Sequence, residues 1–449
     1  MIKLPLPTGL KSIPEFPKLR ESVVNMIRFG DALISRPGLT QTHEGYGAGR
    51  GAVDVGGFAH FVMGERMLRL LADNTVVDLG QLSGTGRVNL DQGFPGALLV
   101  DSTGGSGYVL SQSGYQQITD PNFLPSRDVA YIDGYYVLVP LDGSALFYSN
   151  AADPLTYSGA FFDAEQLPDV NVGIRNFRGD LYVMGSDSTE VFRTTGVSAS
   201  PFARVGGALI EVGLLSAHIE FGDAFAFIGK DRDQDYGVFA ISGAQAQRIS
   251  SPAVDYILTE EYTTEELQTA YATRFQYRSV EVVCWHLPRH TLAFYGDWAI
   301  FETGTIGESV APWIVSSILF RRGQYLVSTT DGRLGTLSGK ADMDEDFTSG
   351  FDTFMRAERG RYLRLSSLEI DCLNGQEPNE YRIGLELSDD GRIWGPRLWE
   401  PVGTTGKYSQ RVCFQYPGGL GLFESFAGIR IRSTEPLTFA LDGMQAVVR

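Results

Sequence analysis

A pair of short strands joined by a tight turn recurs through the first three quarters of this 449-residue chain, at a spacing of about 40 residues. The copies are 58–62 with 67–71, 97–100 with 108–110, 135–139 with 145–148, and 181–184 with 190–192. Three more follow at 225–228 with 238–241, 280–285 with 291–295, and 325–327 with 333–337. Each has an apolar first strand, a Gly or Asp-Gly turn and an aromatic-rich second strand. A single unit of this kind leaves apolar surface on both faces, whereas a closed ring of them buries it. The repeat therefore predicts a mainly-β chain whose residues 45–340 form a β-propeller of six or seven irregular blades.

The remaining sequence gives flanks of different character. Residues 1–44 carry Pro5, Pro7, Pro14, Pro17 and Pro37, which disfavour helix and sheet interior. The expectation is an extended N-terminal arm packing on the platform or on a neighbouring subunit. Thr263-Thr264-Glu265-Glu266-Leu267 has a capping Thr, acidic residues in the first turn and apolar spacing of three to four, which predicts a helical insertion near 262–273. The acidic run 341–346 reads as a linker. Beyond it, 361–372, 381–388, 409–414, 428–433 and 436–441 alternate polar and apolar. They predict a C-terminal antiparallel β platform or sandwich over 341–449, with 446–449 closing a sheet.

Composition excludes several functions. A net charge of −17 and the absence of any basic run longer than Arg321-Arg322 argue against a tightly held nucleic acid. The same acidity permits a duplex that slides past without sticking. Cys284, Cys372 and Cys413 are odd in number and widely spaced, so neither a disulfide framework nor a zinc ribbon is expected. The start of the chain lacks the apolar core of a secretion signal, and no apolar run reaches the ~20 residues that cross a bilayer. The expectation is a protein made in the cytoplasm, with no membrane insertion by this chain.

Motifs that could carry chemistry favour plainer readings. His286-Leu287-Pro288-Arg289-His290 spaces two histidines for a metal on a helix, but Pro288 makes it a turn between strands. Asp231-Arg232-Asp233-Gln234-Asp235 opens like a calcium loop, yet Tyr236 and Ser242 stand where glycine and a bidentate Glu are required. Arg178-Gly179-Asp180 and Gly84-Thr85-Gly86 read as hairpin turns. Ser388-Asp389-Asp390-Gly391-Arg392-Ile393-Trp394 resembles the Asp-box turn of sialidases, occurs once and lies outside the repeat. No nucleophile–base–orienter set is evident, so no enzyme, cofactor or metal is expected.

One ordered series is more specific: Asp255-Tyr256-Ile257-Leu258, then Tyr262-Thr263-Thr264-Glu265-Glu266, then 280–285 and His286-Leu287-Pro288-Arg289-His290. Together with Val24-Asn25-Met26, Arg36-Pro37-Gly38-Leu39, Gly185-Ser186, Ser188-Thr189-Glu190, Thr195-Gly196, Gly428-Ile429-Arg430-Ile431-Arg432 and Glu435-Pro436-Leu437-Thr438, it resembles the tail nozzle or hub of short-tailed bacteriophages, the packaged-DNA stabilisation proteins. Residues 53–161 match in pattern only. The resemblance implies a virion structural protein: a homohexameric ring below the head-to-tail adaptor, carrying a needle or plug and tailspikes or fibres. Such a ring retains packaged DNA and forms part of the ejection conduit. The motif residues Arg36, Pro37, Gly38, Thr264, Glu265, Glu266 and His286 to His290 then have structural or interface roles. Six copies at −17 each would carry −102, a field that keeps duplex DNA off the wall. The central hole of each propeller would be packed or incidental, with DNA passing between subunits. The alternatives are a carbohydrate-binding or glycan-cleaving propeller of a phage tail, and a bacterial interaction scaffold.

Overall fold

Each of the seven hairpins falls on the middle two strands of a four-stranded antiparallel blade, which explains why they are the legible part. In the second sheet, for example, Ala97–Asp101 and Gly107–Ser111 are almost wholly buried, while the outer strand Gly114–Gln117 is half-buried to exposed. The computed structural model describes residues 2–13, 16–143, 145–164, 166–305, 309–357, 362–373, 381–407, 409–435 and 440–448. Of the residues singled out above, Pro14, Arg361, Pro436, Leu437, Thr438, Phe439 and Arg449 lie outside these ranges. The blades are 49–81, 88–117, 126–162, 171–210, 212–248, 271–303 and 315–337. Successive inner strands adjoin, and Val315–Arg321 of the seventh packs beside Gly49–Val55 of the first, closing the ring at seven blades.

Neighbouring inner strands are tied by side chains, since they share no backbone ladder. Asn89 Nδ2 donates to the Arg127 carbonyl at 2.8 Å, and Asp128 accepts from the Ile174 amide at 2.9 Å. Tyr271 Oη donates to the Val315 carbonyl at 2.9 Å, and Ser316 Oγ to the Gly49 carbonyl at 2.5 Å. Between Asp128 and His218, which meet at 2.9 Å from blades three and five, blade four offers Gly173. A Cβ there would lie 2.5 Å from a Leu214 methyl.

The N-terminal segment is woven into the sheets, which changes the picture of an extended arm. Leu39–His43 is the outer strand of blade seven, antiparallel to Leu334–Leu337. Phe16–Val24 lies between the outer strand of blade six and Ser349–Arg356. It joins the blade to Phe426–Ser433, Tyr381–Ser388 and Leu398–Gly403 in one eleven-stranded sheet. The second sheet of the sandwich runs Ser409–Gln415, Leu363–Leu373, Ala440–Val448, Ala32–Ser35, Met26–Phe29, with Ile2–Leu4 also on Ala440–Val448. Pro5, Pro7 and Pro37 fall between strands, and Pro17 is the second residue of Phe16–Val24. One apolar core spans both parts, from Val282, Ala293 and Trp313 to Phe351, Ile370, Phe414 and Ile429.

Two helices interrupt the propeller between blades five and six. The helix expected near 262–273 is the five-residue α2, Thr264–Gln268, and residues 271–273 already belong to a strand. Thr263 and Glu266 form its capping box. A longer helix, α1 at Pro252–Glu260, precedes it with Ser251 as N-cap and Pro252 in its first turn. That cap-plus-proline signal was present in the sequence and was not read as a helix start.

Candidate functional site at the propeller–sandwich junction

Arg36 follows the strand Ala32–Ser35 and sits wholly buried where the sandwich meets blades six and seven. A buried cation requires a full set of acceptors, and Arg36 has them. Its Nη1 and Nη2 donate to Asp342 at 2.9 and 2.6 Å, and its Nε to Asn25 Oδ1 at 2.8 Å. The Glu302 and Pro37 carbonyls accept at 3.2 Å each. Asn25 also donates to the carbonyls of Glu302 and Thr348. Asp342 is therefore part of a clasp, although the run 341–346 reads as a solvated linker in sequence. Gly38 is needed beside it: a Cβ would lie 2.2 Å from the Ala341 carbonyl oxygen.

From this clasp a chain of planar groups runs to Arg87 at the start of blade two. Arg36 lies 3.9 Å from the Phe347 ring centroid and 4.8 Å from that of Trp313. Trp313 faces His286 at 6.1 Å, and His286 stacks on Tyr271 at 4.6 Å with an 8° interplanar angle. Arg87, entering blade two, covers the Tyr271 ring at 4.2 Å and donates to Ser316 Oγ at 2.7 Å. Burial, and secondarily Arg87, push the His286 imidazole down to about 3. It is neutral, with Nε2 at 2.8 Å from Thr273 Oγ1 and Nδ1 at 3.3 Å from Thr291 Oγ1. Burial likewise pulls the Arg87 guanidinium down to about 10 and pushes the Tyr271 phenol up to about 12.

The rest of the His-to-His turn serves a second contact set. Leu287 is buried against α1 and α2, and its amide donates to the His290 carbonyl at 2.8 Å, closing the turn. Pro288 is exposed. Arg289 donates to Glu266 at 2.6 Å and to the Glu261 carbonyl, and lies 4.3 Å from the Tyr262 ring centroid. Tyr262 Oη meets His290 Nδ1 at 2.7 Å, and Arg20 holds Glu261 at 2.9 Å. Thr264 Oγ1 meets Tyr236 Oη at 2.7 Å, while Glu265 is exposed. The two histidines thus engage separate partners: threonines and Trp313 for His286, Tyr262 and Glu261 for His290. Among the described residues, no three His, Cys, Asp or Glu side chains converge on a metal position.

The other motifs resolve as turn chemistry, except Gly84-Thr85-Gly86, which is no hairpin turn but part of the connection from blade one to blade two. Asp231 accepts from the amides of Asp233 and Asp235 and pairs with Arg248 at 2.5 Å. Asp180 pairs with Arg193, and Arg178 with Asp223. Ser388 Oγ accepts from the Gly391 amide, and Asp390 from Arg392 and Ile393. Trp313, Asp342, Asn25, Tyr271 and Arg87 complete the junction; sequence named Asn25 only within Val24-Asn25-Met26 and Asp342 only within an acidic linker, and gave Trp313 and Arg87 no role. Trp313, following a lone proline in an apolar stretch, was the most accessible signal among them.

The same two parts, propeller and sandwich, are what comparison with known proteins returns. Residues 16–342 match the family described as the beta-propeller of bacteriophage P22 Gp10, and residues 350–449 match its beta-sandwich. The chain belongs to the P22 Gp10 family. Within it, the tail hub protein gp10 of Salmonella phage P22 is 23% identical over 92% of this chain and 90% of its own length. Gp10-family membership marks a structural phage tail hub protein and suggests a non-catalytic role. Two solved structures are similar at low identity. The Neurospora crassa Pan2 WD40 domain has a TM-score of 0.40 at 8% identity, over 70% of this chain and 96% of that one. The N-terminal domain of Nup159 has a TM-score of 0.42 at 11% identity, over 74% and 99%.

Proposed function

We propose that this chain is the hub subunit of a short phage tail, assembling as a homohexameric ring below the head-to-tail adaptor. The ring holds packaged DNA in the virion and forms part of the conduit through which DNA is ejected. It presents surfaces to a needle or plug and to tailspikes or fibres, after synthesis in the host cytoplasm. The observation that carries this reading is the Gp10-family match over both domains, with a tail hub relative aligned to 92% of the chain. The mechanics of the fold support it. A sheet continuous from blade six into the sandwich, locked by Arg36 and Asp342, suits a wall segment that must not flex. DNA meets the wall without base recognition, and net charge −17 per chain disfavours adsorption.

Light scattering and class averages of the purified chain with its adaptor test the proposal. The expected particle has six-fold symmetry and a mass of six 49.2 kDa chains, about 295 kDa. A monomer without adaptor affinity would overturn it.

A further inference from the structure

The outer face of the eleven-stranded sheet carries two cross-strand rows that meet blade six in a cleft of about 350 Å³. One row reads Ser22, Asp352, Arg430, Glu386 across four neighbouring strands. In the other, Arg432 stands between Gly350 and Gly384, neither of which offers a side chain to cover it. Glu302, Thr348 and Arg397 line the same cleft, with Val24 and Val310 as its apolar surface.

The charges cancel within the cleft. Arg430 grips Asp352 at 2.9 and 3.1 Å, Arg432 reaches it at 2.8 Å, and Arg397 holds Glu386 at 2.8 Å. Burial alone would raise the Asp352 carboxyl, but Arg432 and Arg430 outweigh it and hold it below the ordinary carboxylate range. Three guanidiniums thus face three carboxylates. An anion or a cation entering would meet like and unlike charge in equal number, so a charged ligand gains little net attraction.

What the cleft leaves unspent is neutral hydrogen bonding. Arg397 Nε is buried without a hydrogen-bond partner, an unusual state for a buried donor. Among the described residues, the Glu302 carboxyl forms no ion pair. Arg430 and Arg397 are held flat by Trp394, at 3.9 Å, and Trp399, at 5.3 Å, which fixes the direction of their donors. Rigid donors and acceptors of both kinds, with small apolar patches between them, match a ligand that presents several hydroxyls on a compact ring. We propose that this cleft is a binding site for a neutral saccharide of one or two sugar units. It lies at the junction of blade six and the sandwich, away from the propeller axis.

Saturation-transfer NMR on the purified full chain, with maltose, lactose and diacetylchitobiose as probes, tests the site. Free arginine and glutamate serve as charged comparators. At least one disaccharide should bind, with a dissociation constant on the order of 1 mM. Arg397→Lys keeps a cation against Glu386 but has no Nε donor, and Thr348→Val removes one hydroxyl at nearly constant shape. Each should weaken binding roughly tenfold while leaving the thermal unfolding midpoint near that of the parent. A flat response to all three disaccharides would overturn the site. So would binding that both variants leave unchanged, or a preference for either charged comparator.

Discussion

Arg36 and Asp342 stand 306 positions apart and meet with almost no solvent contact. Removing one member of such a pair strands the other in the interior, so Asp342→Ala should cost about 3–5 kcal/mol, read as a lower denaturation midpoint in urea. Replacing both by apolar residues should recover much of that loss, since the desolvation cost disappears with the charges. His286 gives the pH counterpart. Its folded-state pKa of about 3 lies below that of a free imidazole, so the unfolded chain binds the extra proton. Its share of stability is fully present above pH ~6.5 and is lost as pH falls from there toward 3. His60, also lowered by burial, to about 4, adds in the same direction. The urea midpoint should therefore drop between pH 7.5 and 5, and His286→Gln should reduce that drop. Sequence exposed Arg36, Asn25 and His286 as motif members but hid Asp342 and Trp313 as their partners. Nothing local distinguishes Asp342 from Asp344 or Glu345; only the chain segment arriving from residue 36 buries it.

The middle strands of all seven blades were readable because both of their faces are covered, which forces unbroken apolar runs. Outer strands were not. Val76–Gln81 and Gly114–Gln117 are largely solvated, so their sequences carry no periodic signal. The inner strands hide a further device: in blades one, three, four, five and seven a register shift near the strand's start marks a β-bulge. Bulges turn side chains off the pleat, and sequence patterns assume a regular pleat. The N-terminal strands were missed for a different reason. Apart from the local pairings Lys11↔Glu21 and Met26↔Ser35, their partners lie far along the chain, as in Val24↔Ile300, Thr40↔Thr336 and Lys3↔Gln445. Deleting residues 2–43 should leave blade seven without its outer strand and both sandwich sheets without neighbours. The expected product elutes from size exclusion as soluble aggregate; a monodisperse monomer would refute this view of the segment. Candidate site residues fared as the elements did: the helix cap at Thr263 and Glu266 was local and visible, whereas the chain from Arg87 to Phe347 is assembled from six separate strands and loops.

At the scale of the molecule, acidity is uneven. Residues 118–170, which hold blade three, contain eight Asp and Glu against the single Arg127. Blade three stands across the ring from blade six and hence from the sandwich. Asp133 and Asp163 there are exposed. In the proposed conduit, Asp133→Lys with Asp163→Lys should slow DNA ejection in assembled virions while leaving the yield of rings unchanged; normal ejection kinetics would argue against an electrostatic role for this blade. The strand order has another consequence, for how the subunit comes into being. Leu39–His43 is synthesised early yet must wait for Leu334–Leu337, and Ile2–Leu4 must wait for Ala440–Val448. During translation neither domain can close until its last strands have left the ribosome, and pairings this distant form slowly. A truncated nascent chain would show open sheet edges in place of a finished surface. Subunit maturation is thereby coupled to translation of Ala440–Val448, so a product terminated before that strand would be shut out of the proposed ring by its own topology.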